Sequence, residues 1–332
     1  MNTPILQTVA LGEQWPTLDP FLFLAHHLDH YPEANGSLGP AAPLDGRHIG
    51  RDFAGVDGWN MYHGATVPGF PQHPHRGFET ITYVRQGWCD HADSLGARAR
   101  FGEGDVQWLT AGSGIVHSEM FPLFDVDKPN PLHLFQIWLN LPAENKMVEP
   151  YYSMLWASEL PSFEAADGVD VTLITGSLDG HEPPAPPPHS WAAHSGSDVA
   201  IWHVRLGAGS VWTLPGGPRD IGRVLYHFDG SDLSIGGTKV EVNTGVVLDS
   251  AQSADLAASD GAEFLVLQGR PIGEPVAQHG PFVTNTQTEI EQAFRDYQQT
   301  GFGGWPWNTD DPVHGPDKQR FEDKQHLRPE SH

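Results

Sequence analysis

The chain reads as a succession of short apolar runs broken by glycine turns. Thr80-Ile81-Thr82-Tyr83-Val84, Val106-Gln107-Trp108-Leu109 and the stretch from Leu132 to Leu139 are each β-prone. The last begins with strict apolar–polar alternation, as a strand with one buried face should. Such runs fill the sequence from Gly58 to Leu141 and return from Val199 to Gln268. Repeated short strands with turns between them predict an all-β sandwich or barrel. One segment breaks the pattern. Ile290, Ala293, Phe294 and Tyr297 recur at i, i+3, i+4 and i+7, which predicts a helix over 287–299, with Thr286 as its cap and Glu289 in the capping-box position. From Gly301 onward glycine, proline and charge dominate, and a loose tail is expected.

A faint internal repeat accompanies this pattern. Setting Gly87 against Gly230 superimposes two β-prone runs that each end in a glycine turn, and it places His73 and His75 over Gly216 and Pro218. Between Ser177 and Ser190 the run Pro183-Pro184-Ala185-Pro186-Pro187-Pro188 favours extended backbone and reads as an exposed, semi-rigid connector.

Composition sharpens the class. At 332 residues the chain can hold two domains, and 37 glycines with 29 prolines suit frequent turns. Lys and Arg total 18 against 42 Asp and Glu, for a net charge of −24. That acidity, without a basic cluster, argues against direct contact with nucleic acid or anionic membranes. The single cysteine, Cys89, rules out an intramolecular disulfide. Neither a signal-peptide pattern nor an apolar run of membrane-spanning length is present, so a soluble cytoplasmic protein is expected.

Candidate chemistry concentrates at two short motifs. In His73-Pro74-His75 the spacing of two puts both imidazoles on one face of a strand, and His117-Ser118-Glu119 does the same for an imidazole and a carboxylate. If the two strands face one interior point, three nitrogens and one oxygen converge there. Such a set suits one borderline divalent transition metal such as Fe(II), Mn, Co, Ni, Cu or Zn. It resembles the facial non-haem iron site with one extra histidine. In octahedral geometry it leaves two positions for water, a substrate oxygen or O2. Arg76 could steady Glu79 or a loop. His91 reads as a residue behind the ligands, His26, His27 and His133 as ordinary strand or surface histidines, and Gly77, Gly87, Gly104, Gly112 and Gly114 as turn positions.

Two longer runs extend these motifs. Pro71-Gln-His73-Pro-His75-Arg-Gly-Phe-Glu79-Thr and Gly104-Asp-Val-Gln-Trp108-Leu-Thr-Ala-Gly112-Ser-Gly114-Ile-Val-His117-Ser-Glu119-Met120 closely resemble the pirin family of the cupin superfamily. Asp19-Pro20-Phe21 and Gly269-Arg-Pro-Ile-Gly273-Glu-Pro-Val extend the likeness over about residues 15 to 300. The resemblance implies a bicupin: a metal-binding barrel over 1–145, a second barrel without a metal site over 146–300, and an extended tail over 301–332. It also implies that His73, His75, His117 and Glu119 match the family's four ligands, whereas typical cupins use a carboxylate at the position of Glu79. Some pirins are similar to quercetin 2,3-dioxygenases, which open a flavonol with O2 and release carbon monoxide. On that reading an aromatic substrate and O2 meet at the metal, with Glu119 as general base. Other pirins resemble iron-dependent, redox-sensitive regulators that act through a protein partner, and the same four residues would serve that role.

Overall fold

A computed structural model describes residues 3–231 and 233–324; His326 and His332 of the sequence lie outside them. As expected, the described chain is nearly all strand. Its one α-helix, Gln287–Thr300, carries the capping box between Thr286 and Glu289 and ends at Gly301 in the left-handed conformation.

The chain divides into two compact units that are interleaved rather than sequential. One runs up to Ala25 and adds Ile137–Pro142 and Ser158–Gly273; the other takes His26–Gln136, Ala143–Ala157 and the chain from Glu274 onward. Two divisions fall inside long strands, Phe21–Tyr31 and Asn130–Asn140. Boundaries at 145 and 300 therefore do not describe the units. The first strand, Ile5–Ala10, pairs with Thr244–Leu248 of the unit expected to begin at 146. The helix belongs with the unit expected to end at 145. The proline-rich run lies inside one unit, between Val169–Thr175 and Ala200–Leu206, and does not join the two.

In the unit that carries His73, two sheets face each other. One orders Tyr151–Leu155, Asp105–Thr110, Phe78–Gln86, Asn130–Asn140 and Phe21–Tyr31; the other orders Phe321–Asp323, Arg98–Gly102, Trp88–Asp93, Ile115–Met120 and Gly69–His75. The two-residue period of each strand decides what enters the interior. Val84, Cys89, Ala99, Phe101, Ile115, Leu132 and Leu134 share one core cluster. Residues in phase with them, including Thr82, His91, His117, Glu119 and Gln136, therefore face the same interior. Out of phase, Val116 faces the other way and packs with Phe282, Ile290, Ala293 and Phe302 of the helical segment.

The expected loose tail is instead laid over the outer face of the second sheet. Phe321–Asp323 pairs antiparallel with Arg98–Gly102. Asp90 and Arg100, both out of phase with the core, form a buried ion pair at 2.6 Å. The tail satisfies what remains of that pair: the His314 backbone N–H donates to Asp90 at 2.8 Å, and Arg100 donates to the carbonyls of Gly315 and Asp317. A buried pair needs such secondary partners, because unsatisfied donors in a dry interior cost more than the charges return. Composition suggested a loose tail because its contacts are made by backbone groups, which carry no pattern in the sequence.

The other unit packs a seven-stranded sheet, from Ile5–Ala10 to Ser162–Ala166, over a four-stranded sheet, from Val211–Leu214 to Thr238–Val240. Its hydrophobic core cluster includes Trp202, Leu225, Val246, Phe264 and Val266. Gly216 and Pro218 fall in the connection between Val211–Leu214 and Gly222–Gly230.

Candidate metal centre

The strands Gly69–His75 and Ile115–Met120 pair antiparallel with His73 directly opposite His117. Close pairing at the start of the first strand rests on Gly69, whose φ of +134° few other residues adopt; a Cβ there would lie 2.5 Å from the Glu119 carbonyl. Between Phe70 and His73 the register slips, so both side chains turn inward. The five glycines read as turn positions all have positive φ.

This pairing brings His73, His75 and His117 together. One potential ligand atom from each lies within 4.8 Å of the others. Ring centroids are 4.5 Å apart for His73 and His117 and 4.9 Å for His75 and His117. The donor set fits a transition metal on two grounds. First, His73 Nδ1 bonds the Pro71 carbonyl at 2.9 Å, which places the proton there and leaves Nε2 as a free lone pair. Second, both ring nitrogens of His117 are buried without a hydrogen-bond partner among the described residues. Orphaned nitrogens in a dry interior are costly unless something absent from the polypeptide satisfies them. Burial pushes His73 down to about pKa 4, and His75 and His117 well below the usual imidazole range; neighbouring imidazoles push all three the same way. The three rings are thus neutral at physiological pH, the form a metal requires.

Glu119 points into the same interior but is not one of the three converging groups. Its Oε1 accepts from Thr82 at 2.8 Å and its Oε2 from Gln136 at 2.5 Å. Burial raises its proton affinity, while these two donors and nearby His91 act in the opposite direction. Glu79 faces the other way. It is three residues from Thr82, on the opposite face of Phe78–Gln86, and accepts a 2.7 Å bond from Thr110. Arg76 neither steadies Glu79 nor faces the centre; it bonds the Ser113 carbonyl and Asp296 of the helix and lies over the Phe302 ring. His91 stands behind His117, 5.6 Å between centroids, with Nε2 on Asp93 at 3.1 Å. Thr82 and Gln136 carry a signal that the sequence reading passed over. Gln136 follows Leu132 and Leu134 in the inward phase of its strand, where an amide needs a polar partner.

Comparison with known proteins accords with this geometry. The family models for pirin and for the pirin C-terminal cupin domain match residues 6–139 and 201–303. A "Pirin-like protein" of Caulobacter vibrioides is 39% identical, over 70% of this chain and 80% of its own. The chain belongs to the pirin family. A Pseudomonas aeruginosa relative, provisionally named as a quercetin 2,3-dioxygenase, is also 39% identical, over 70% of this chain and 79% of its own. Among solved structures, a quercetin 2,3-dioxygenase from Acinetobacter baumannii superimposes with a TM-score of 0.72 at 25% identity, covering 91% of this chain and 98% of that one. The three-histidine cluster and these likenesses together point to a site for a single transition metal. No helix among the described residues is long and apolar enough to cross a membrane.

Proposed function

We propose that this pirin is a metal-dependent dioxygenase that opens a flavonol such as quercetin, holding Fe(II) or a related divalent ion through His73, His75, His117 and Glu119. The observation that carries the reading is the convergence of three neutral imidazoles, His75 and His117 buried and His73 half-buried, beside a carboxylate whose burial raises its proton affinity. A bound metal supplies Lewis acidity for an aromatic oxygen and a meeting point for O2. The chain's own part is orientation and proton handling. Glu119, held at both oxygens by Thr82 and Gln136, is the group placed to take the proton of the flavonol hydroxyl. Phe70, Phe78 and Phe121 supply flat apolar walls beside the histidines. In the overall reaction both atoms of O2 enter the ring-opened ester and the excised carbon leaves as carbon monoxide. The relatives' names support a quercetin-type substrate.

The test is direct. Protein loaded anaerobically with Fe(II), Mn, Co, Ni or Cu is mixed with quercetin and air, and loss of the flavonol's visible absorbance is followed. Turnover that vanishes in His73→Ala and Glu119→Ala is the expected result. No turnover with any metal would refute the dioxygenase. If those variants then changed binding to a protein partner, the chain would be an iron-dependent regulator.

A further inference from the structure

A second polar construction lines the same interior and is not used by the chemistry above. His27 and Asp29 lie two apart on Phe21–Tyr31 and so share a face. Tyr62 joins them: its hydroxyl donates to Asp29 Oδ2 at 2.6 Å and meets His27 Nδ1 at 2.8 Å. The other Asp29 oxygen accepts the backbone N–H and the side-chain amide of Asn60. Asp29 is fully buried and its carboxyl is pushed up to about pKa 6 by desolvation, which these three donors only partly offset. The one phenolic proton of Tyr62 lies on the shorter of its two contacts, the 2.6 Å bond to Asp29. The phenolic oxygen must then accept from His27 Nδ1–H, and this fixes the tautomer with a lone pair on His27 Nε2.

The loop before Tyr62 is built at a cost to hold this arrangement. Tyr62 has a φ of +56°, a conformation worth about 1–3 kcal/mol of strain in a bulky residue. It is pinned there by paired backbone bonds with Asp52, at 2.8 and 2.9 Å. Asp52 is itself held by a buried ion pair with Arg47, which lies over the Trp59 ring. Strain sustained by so many contacts marks a residue whose position matters.

His27 also has the right neighbours. It is half-buried and packs its ring against Phe70 at 5.8 Å and Phe121 at 6.4 Å. Phe70 in turn touches His73 at 6.3 Å. One aromatic ring thus separates His27 from the histidine cluster. We propose that His27, held by Tyr62 and Asp29, is a second recognition point in this barrel, accepting a hydrogen bond from a hydroxyl of a polyhydroxylated aromatic whose other oxygen lies at the histidine cluster. This deepens the flavonol reading and rests on it. His27 is a positioning and specificity residue here: it selects flavonols whose pendant ring carries a hydroxyl, while Glu119 handles the reacting proton.

The test measures selectivity of binding rather than turnover. Protein loaded with redox-inert Zn(II) under nitrogen is titrated calorimetrically with quercetin and with galangin, a flavonol that keeps the 3-hydroxyl but lacks the catechol pair. Wild type should prefer quercetin about tenfold, as one well-made hydrogen bond allows. Tyr62→Phe and His27→Phe should each bring the two ligands within about twofold, with galangin affinity unchanged. An unaltered preference in both variants, or equal weakening of both ligands, would overturn the assignment and leave His27 a packing residue. So would a wild type that does not discriminate. Failure of wild type to bind either ligand would remove the flavonol reading as well, whereas selective binding without turnover in air would remove only the dioxygenase chemistry and leave His27 in place.

Discussion

The two barrels differ most in what fills them. In one, strands of regular alternation close over Phe264, Val246, Trp202 and other apolar side chains. In the other, the same kind of strand turns His73, His75, His117, Glu119, Gln136 and Thr82 inward, with His27 and Tyr62 beside them. The difference is energetic as well as chemical. The apolar interior stabilises its fold. The polar one holds neutral imidazoles and a carboxylate at a desolvation cost, which makes sense only if a ligand repays it.

The contrast can be pressed hardest by mutation in each interior. Phe264→Ala, at a fully buried position, should lower stability by about 3–5 kcal/mol in thermal unfolding. His117→Leu in the metal-free protein should cost nothing or raise the melting temperature, since it removes two buried nitrogens that lack partners. A destabilisation like that of Phe264→Ala would mean the histidine is structural. Next in size is the support of the carboxylate. Gln136→Leu strips a donor from Glu119 and should weaken metal binding by about tenfold or more, read by competition with a chelator; unchanged affinity would detach Glu119 from the centre.

Acidity probes the same cost. In the unfolded chain His73, His75 and His117 titrate near 6.5, whereas in the fold burial holds His73 to about 4 and the other two well below the usual range. Between those limits the unfolded state binds more protons, so stability rises with pH and falls as pH drops from about 6.5 towards 4. Each ring contributes about 1.4 kcal/mol per pH unit inside that window. Urea unfolding of metal-free protein at several pH values should show the slope, and the pair His75→Leu with His117→Leu should flatten it. The smallest effect expected is that of Trp307→Phe, which removes the bond from the indole to the Asp93 carbonyl and should cost about 1 kcal/mol.

How much of this was legible in the sequence follows from range. The histidine cluster was readable because a spacing of two on a strand is a local fact, and one strand pair completes it. The helix was readable for the same reason: its cap and apolar stripe lie within fifteen residues. The interleaving of the units was not, because Ile5–Ala10 pairs with a strand more than two hundred residues away, and nothing in its own pattern names that partner. The tail was missed because carbonyls of Gly315 and Asp317, not side chains, meet Arg100. His27 was read as ordinary because its partners, Tyr62 and Asn60, sit on a loop whose course no periodicity describes.

The central claim, a single transition-metal site in one barrel, is tested most directly by metal stoichiometry. Elemental analysis after anaerobic loading and dialysis should give one ion per wild-type chain and none in His117→Leu, with both proteins folded. Full occupancy in that variant, or an empty wild type after exposure to Fe(II), Mn and Ni, would contradict it.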